Sequence, residues 1–356
     1  MTHDWLTSES TISHRHKALG LLGSGTATCL TPLVTKCQMV LDQMAKDPTS
    51  RQGPKTIQEG ILFDTGISLT RDYINHEMHV QDPDGFTICE PSAHKKVFRV
   101  PLVSLGPHHE WSADGHDKLT KLGFPIWGIR DKWSGKWLGL WVVPNNRLKV
   151  TIGYLYLLLV KKLGGMPMQS TTDCGSETTL MYALASALRE YFSPNLDLDE
   201  LPAHVFVKSL HNITIERGWL RLCLQWGDNV KVFWEAGSEI YNPTNQHHYE
   251  LAQWLWPTLI QQELDELKDR MNCHTTRYDR NKKIPSGVSP DVAVSLCTEY
   301  AGENCLQPVN VDVVQQLMDD IGDDVLRFVP AEYADRAQEV FASLGVFNKM
   351  IPHLST

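Results

Sequence analysis

The sequence predicts an α/β protein: a mixed five-stranded sheet with flanking helices, plus helical N- and C-terminal regions. Three observations carry this. From Trp111 onward, short β-rich runs and longer helical runs follow one another as β-β-β-α-β-α-β-α, the order of a mixed sheet with helices over its faces. Residues before 107 and after 243 show helical spacing instead of strand alternation. The 356 residues, 42% hydrophobic and 21% charged, have the balance of a globular chain long enough to bury a sizeable core.

Residues 1–54 are mixed in character, with a helix expected from Leu33 to Met44. Gly23-Ser24-Gly25 follows no strand, so it does not read as a phosphate loop. Residues 55–85 suggest two helices, Thr56–Asp64 and Leu69–His79, separated by Thr65-Gly66, with Ser68 as the expected cap. That is a helix–turn–helix outline, which would offer Thr70, Arg71 and Asn75 to a groove. A small helical bundle fits the same residues, because the second helix also carries Asp72 and Glu77. Residues 86–106 read as an extended linker.

The sheet region, 107–243, begins with a meander: strands at Trp111–Leu119, Phe124–Asp131 and Trp137–Val143, the last two joined through Trp133-Ser134-Gly135-Lys136. A helix over Leu148–Leu163 ends at Gly164-Gly165. A strand at Met168–Thr172, a helix at Glu177–Phe192, a strand at Val205–Leu210 and a helix carrying Asn212 and Glu216 complete it. The region 244–356 is helical, with Pro257 expected to kink a long helix or start a new one. A basic loop spans Tyr278–Pro290, and helices are expected at Val311–Ile321 and Ala331–Leu344.

A formal net charge of −9 argues against a surface uniformly basic for nucleic acid. Between Trp111 and Trp234, however, 14 Lys and Arg face 11 Asp and Glu, so this segment is +3 and the remainder −12. The eight cysteines form no CxxC pair and no regular framework, as expected of thiols in a reducing compartment. His76, His79 and Cys89 lack the paired spacing of a zinc site. The longest apolar run, Ile152–Val160, is too short to span a bilayer, and no signal peptide is evident.

Three acids stand out by position: Asp114 in the first strand, Asp173 at the end of the fourth, and Glu216 in the helix after the fifth. The first and fourth strands are neighbours in such a sheet, so these acids converge at one edge. Carboxylates gathered there suit Mg²⁺ or Mn²⁺, hard cations that take oxygen ligands. Asn212 lies one turn before Glu216 on the same helix face. An ordinary first-turn glutamate that suits the helix dipole is the competing reading of Glu216. By the same logic Asp117, Asp131, Glu177 and His116 read as surface, turn, helix-start and hydrogen-bonded structural residues, and the tryptophans as packing.

The segments Asp114-Gly115-His116-Asp117-Lys118-Leu119, Gly128 to Ser134, Thr172 to Glu177, Ser209 to Trp219 with its Asn-x-x-x-Glu, Asn272 to Arg277 and Pro285-Ser286-Gly287 together resemble the integrase core of the ribonuclease H-like superfamily, the group of DDE transposases and retroviral-type integrases. Within it the chain is similar to integrase-core proteins common in fungi and found in some animals. The resemblance covers roughly residues 107–290. It implies a ribonuclease H-like fold and a catalytic, metal-binding triad of Asp114, Asp173 and Glu216, with Asn212 supporting it. It also implies two Mg²⁺ or Mn²⁺ ions when DNA is bound, and a homo-oligomer. Lys208, Arg217, Arg221 and Arg71 would contact the nucleic-acid backbone on this reading, and ordinary solvated charges fit the same residues equally well.

The expected function is metal-dependent cleavage and strand transfer at DNA phosphodiesters, as in DNA integration by a transposable element. The alternative is a catalytically silent, domesticated integrase-like protein that binds nucleic acid or protein. DNA is the expected partner, with no membrane and no organic cofactor. The expected location is intracellular, and nuclear if host DNA is the substrate.

Overall fold

The computed structural model describes residues 14–15, 18–82, 102–207, 212–237 and 239–344. Its elements divide between two compact units, one of residues 1–97 with 224–232, the other of 98–223 with 233–356.

The first unit is helical: α1 (Ser24–Leu30), α2 (Leu33–Ala45), α3 (Pro54–Thr65) and α4 (Arg71–Gln81). Val40, Ile57, Ile61, Leu69, Ile74 and Met78 form its core. Gly66 closes α3 in the left-handed conformation that a residue without Cβ adopts most cheaply. The second helix of this pair begins later than the sequence suggests. Thr70, not Ser68, is its N-cap, and it makes no side-chain cap bond. Leu69 is drawn into the core instead, and the Thr70 N–H donates to the Thr28 hydroxyl at 2.8 Å. Arg71 is exposed at the first helical position.

The second unit holds β1 (Glu110–His116), β2 (Ile126–Asp131), β3 (Trp137–Val142), α5 (Lys149–Leu163), β4 (Gly165–Met166), β5 (Gln169–Asp173), α6 (Thr179–Phe192), β6 (His204–Val207) and α7 (Ile213–Leu222). After α8 (Asp228–Ala236) come α9 (Gln246–Cys273), α10 (Pro290–Ser295), β7 (Gln307–Pro308), α11 (Val311–Ile321) and α12 (Ala331–Ser343). Five strands form one sheet in the order β3-β2-β1-β5-β6, antiparallel through the meander and parallel from β1 to β6. This is the ribonuclease H-like mixed sheet with flanking helices. A separate ribbon pairs β4 with β7.

Trp111, Ala113, Trp127 and Ile129 from the strands pack with Ile152, Leu155, Tyr156 and Leu159 of α5 in the main core. The helix α9 runs through Pro257 as one element, where a kink or a fresh start is expected from sequence. It is fastened to the sheet edge by side chains. Gln261 accepts from the Val142 N–H at 3.0 Å and donates to the Leu140 carbonyl at 3.0 Å. Asn272 accepts from the Trp137 N–H at 2.8 Å and donates to its carbonyl at 2.9 Å. Asp131, fully buried, accepts from the N–H groups of His108 and Ser134, each at 2.8 Å, and so fixes the turn between β2 and β3. No described helix is long and apolar enough to cross a membrane.

His204 is the buried titratable group of the parallel half of the sheet. Its ring nitrogens meet the Ser170 and Thr172 hydroxyls at 2.8 and 2.9 Å, and burial pushes its pKa down from 6.5 to about 4. Below pH 6.5 the unfolded chain takes up a proton that the native imidazole refuses, so stability falls as pH drops from 6.5 to 4. This one group accounts for about 3 kcal/mol across that window. Urea unfolding of wild type and His204→Gln at pH 7, 5.5 and 4 checks it: the variant is expected to lose less stability than wild type on acidification.

Candidate active site at the sheet edge

The parallel pairing of Ser112 with Thr171 sets the geometry of the acids. Two residues further along both strands, in the same register and on the same face, stand Asp114 and Asp173. Glu216 lies in the first turn of α7, and its side chain is exposed. The charges of Asp173 and Glu216 both reach Asp114. Burial, then the charge of Asp173 and to a smaller extent that of Glu216, push the Asp114 pKa up from 3.8 to about 7. The Gly115 N–H at 2.8 Å and the Trp219 indole N–H at 3.1 Å oppose that rise.

Asn212 is the N-cap residue of α7 and is buried. Its amide donates to the Ala113 carbonyl at 3.3 Å and to the Asp173 carboxylate at 3.5 Å, and its oxygen accepts from the Ser112 hydroxyl. It therefore ties β1, β5 and the start of α7 together at the acids. Asp117 and Glu177 stand apart from this group, since both pair with Arg147.

Trp219, read from sequence only as packing, has a second role. Its ring stacks on buried His116 with centroids 4.9 Å apart and tilts against Trp137 at 5.0 Å. His116 in turn meets the Cys223 sulfur at 3.1 Å. Two glycines make room for these rings. A Cβ on Gly128 would lie 2.6 Å from Trp219, and one on Gly218 2.5 Å from Trp137. The signal in the sequence is the pairing of Gly128 and Gly218 with bulky Trp137 and Trp219, recognisable only once strand and helix are known to touch.

Among the basic residues, Arg217 and Arg221 are exposed on α7. Arg130 donates to the Thr214 and Gly135 carbonyls, both at 2.7 Å, and lies over the Trp137 ring at 5.5 Å. Burial first, then the charge of Arg221, lower its pKa to about 10, with Arg217 contributing in the same direction. Lys208 and the stretch Ser209–His211 lie outside the described residues, as does Cys89. Arg71 belongs to the helical unit.

The donor set fits a hard divalent ion in chemistry and charge: carboxylate oxygens, with Asp114 pushed up by burial and then by the charges of Asp173 and Glu216. Among the described residues no three His, Cys, Asp or Glu side chains are gathered into a finished cage. A cavity of about 890 Å³ lies elsewhere, lined by α9 and residues 326–335, and none of the three acids lines it.

No curated protein matches the chain. A family model described as an integrase core domain matches residues 97–291, which hold β1 to β6, the three acids, α9 and the loop that follows it. That span is more than half of the sequence, and the chain belongs to the integrase core domain family.

Proposed function

We propose that this protein is a metal-dependent polynucleotidyl transferase acting on DNA phosphodiesters, with Asp114, Asp173 and Glu216 as its metal-holding carboxylates. Integrase core domains in general use divalent metals and bind DNA. The observation that supports the assignment to these residues is the parallel register that sets Asp114 beside Asp173, with the charge of Glu216 also reaching Asp114. A carboxylate raised first by burial and then by neighbouring acids is one whose charge a cation would stabilise.

When bound, Mg²⁺ or Mn²⁺ would supply charge neutralisation at the phosphoryl oxygens and activation of the attacking hydroxyl. The chain's own part is orientation. Trp219 and Gly115 direct the two oxygens of Asp114. Asn212 holds Asp173 and the start of α7 against β1. Arg217 and Arg221, with Lys208 before the helix and Arg71 in the helical unit, are the cations assigned to the DNA backbone. In the reaction a P–O bond forms to a water or a DNA 3′ hydroxyl as the scissile P–O bond breaks on the opposite side of phosphorus.

A second reading, a catalytically silent integrase-like protein that binds nucleic acid or protein, draws on the open arrangement of the acids and on the net charge of −9. Nicking of supercoiled plasmid in Mn²⁺ separates the two. Wild type is expected to nick, and Asp114→Asn to lose the activity by on the order of 10²–10³-fold or more. Equal nicking by both would overturn the assignment. DNA binding by wild type without any nicking would favour the silent reading.

A further inference from the structure

We infer that the loop from Arg277 to Lys283 is a second DNA-backbone contact, serving the same substrate as the acids; the inference rests on the proposed function. Its sequence, Arg-Tyr-Asp-Arg-Asn-Lys-Lys, sets four cations against one acid in a chain of net charge −9. All seven residues are exposed. Asp279 turns its carboxylate onto its own loop, accepting the Asn281 N–H at 3.0 Å. Among the described residues none of the four cations is held in an ion pair. Four uncompensated charges within seven residues repel one another, and a polyanion relieves that repulsion while releasing its own counterions.

The loop is a built feature. The Thr276 N–H and hydroxyl both donate to the Val288 carbonyl, at 3.1 and 2.9 Å, closing its base. The Ser286 hydroxyl accepts from the Asp279 N–H at 3.1 Å and donates to its carbonyl at 3.2 Å, bracing its middle. Such bracing lowers the ordering cost of binding.

The base of the loop is also tied to the acids. On one side, Asn272 grips both backbone polar groups of Trp137. On the other, Asp291 pairs with Lys136 at 2.8 Å. Trp137 is the ring that packs on Trp219, whose N–H holds Asp114. Arg130 also lies over the Trp137 ring at 5.5 Å, where the charges of Arg221 and Arg217 act on it. Trp219 belongs to α7, so the helix that carries Arg217 and Arg221 and the end of α9 that leads into the loop meet the same aromatic pair beside Asp114.

The test is fluorescence anisotropy of a labelled DNA duplex, titrated at several KCl concentrations with wild type and with R277Q/R280Q/K282Q/K283Q. Each phosphate contact contributes about 0.9 to the slope of log K against log salt. The variant is expected to lose up to about 3.6 from that slope, about 0.9 for each of its four cations, and tenfold or more in affinity at low salt, with unchanged unfolding temperature and unchanged mass by light scattering. Wild-type slope and affinity in the variant would overturn the inference while leaving the proposed function standing. A change in oligomeric mass in place of the slope change would also overturn it, assigning the loop to a protein contact. Failure of wild type to bind DNA at low salt would overturn the proposed function itself, and the inference with it.

Discussion

Asp114→Asn is expected to produce a protein that is more stable than wild type without metal and inactive with it. The carboxylate is mostly buried and feels Asp173 and Glu216, and its pKa of about 7 measures the cost of ionising it there. A neutral amide of the same shape avoids that cost, which amounts to ~1 kcal/mol or more at pH 8. The same change removes the donor with the most constrained position, so Mn²⁺-dependent nicking falls by on the order of 10²–10³-fold or more. Thermal unfolding at pH 8 beside the nicking assay checks both. An inactive variant that is also less stable would point to a damaged fold instead of a lost ligand.

Trp219→Ala is expected to be among the most destabilising changes in the second unit. The ring is 4% exposed and fills the space left by Gly128 between His116 and Trp137. Truncation of a buried ring of this kind costs about 3–5 kcal/mol. Trp219→Phe keeps an aromatic ring while deleting the N–H bonded to Asp114 and the outer ring atoms that face Gly128, so it costs less packing than Trp219→Ala and loses the same hydrogen bond. Loss of a residue that orients a metal ligand weakens metal binding by about 10–100-fold. Calorimetric titration with Mn²⁺ is expected to read that loss in the Phe variant with most of its stability retained. Wild-type Mn²⁺ affinity in Trp219→Phe would leave Trp219 a packing residue alone.

Much of this architecture is legible in the sequence, for a reason rooted in parity and topology. The meander followed by alternating helices allows few sheet orders, and in the one adopted the strands of Asp114 and Asp173 are adjacent. Asn212 and Glu216, four apart, fall at the start of α7 as their spacing implies. What escaped depends on partners distant in sequence. The Trp219–Asp114 bond joins residues 105 apart, and the Asn272 grip on Trp137 spans 135. Neither leaves a local pattern. The ribbon of β4 with β7 has only two residues on each side, too few for alternation to register. Ser68 resembled a cap because local chemistry favours serine there. Burial of Leu69 in the helical core decided otherwise and moved the cap to Thr70. Pro257 suggested a break, whereas α9 is held along its length by Gln261 and Asn272 on β3.

We assign Asp114, Asp173 and Glu216 to one cation-binding unit. Thermal unfolding with and without Mn²⁺, on wild type and on D114N/E216Q, tests it without knowledge of the DNA substrate. A ligand that binds only the native state adds about 2.7 kcal/mol at a hundredfold excess over Kd. Wild type is expected to show a Mn²⁺-dependent rise in unfolding temperature that is absent from the double variant. An equal rise in both proteins, or none in wild type, would contradict it.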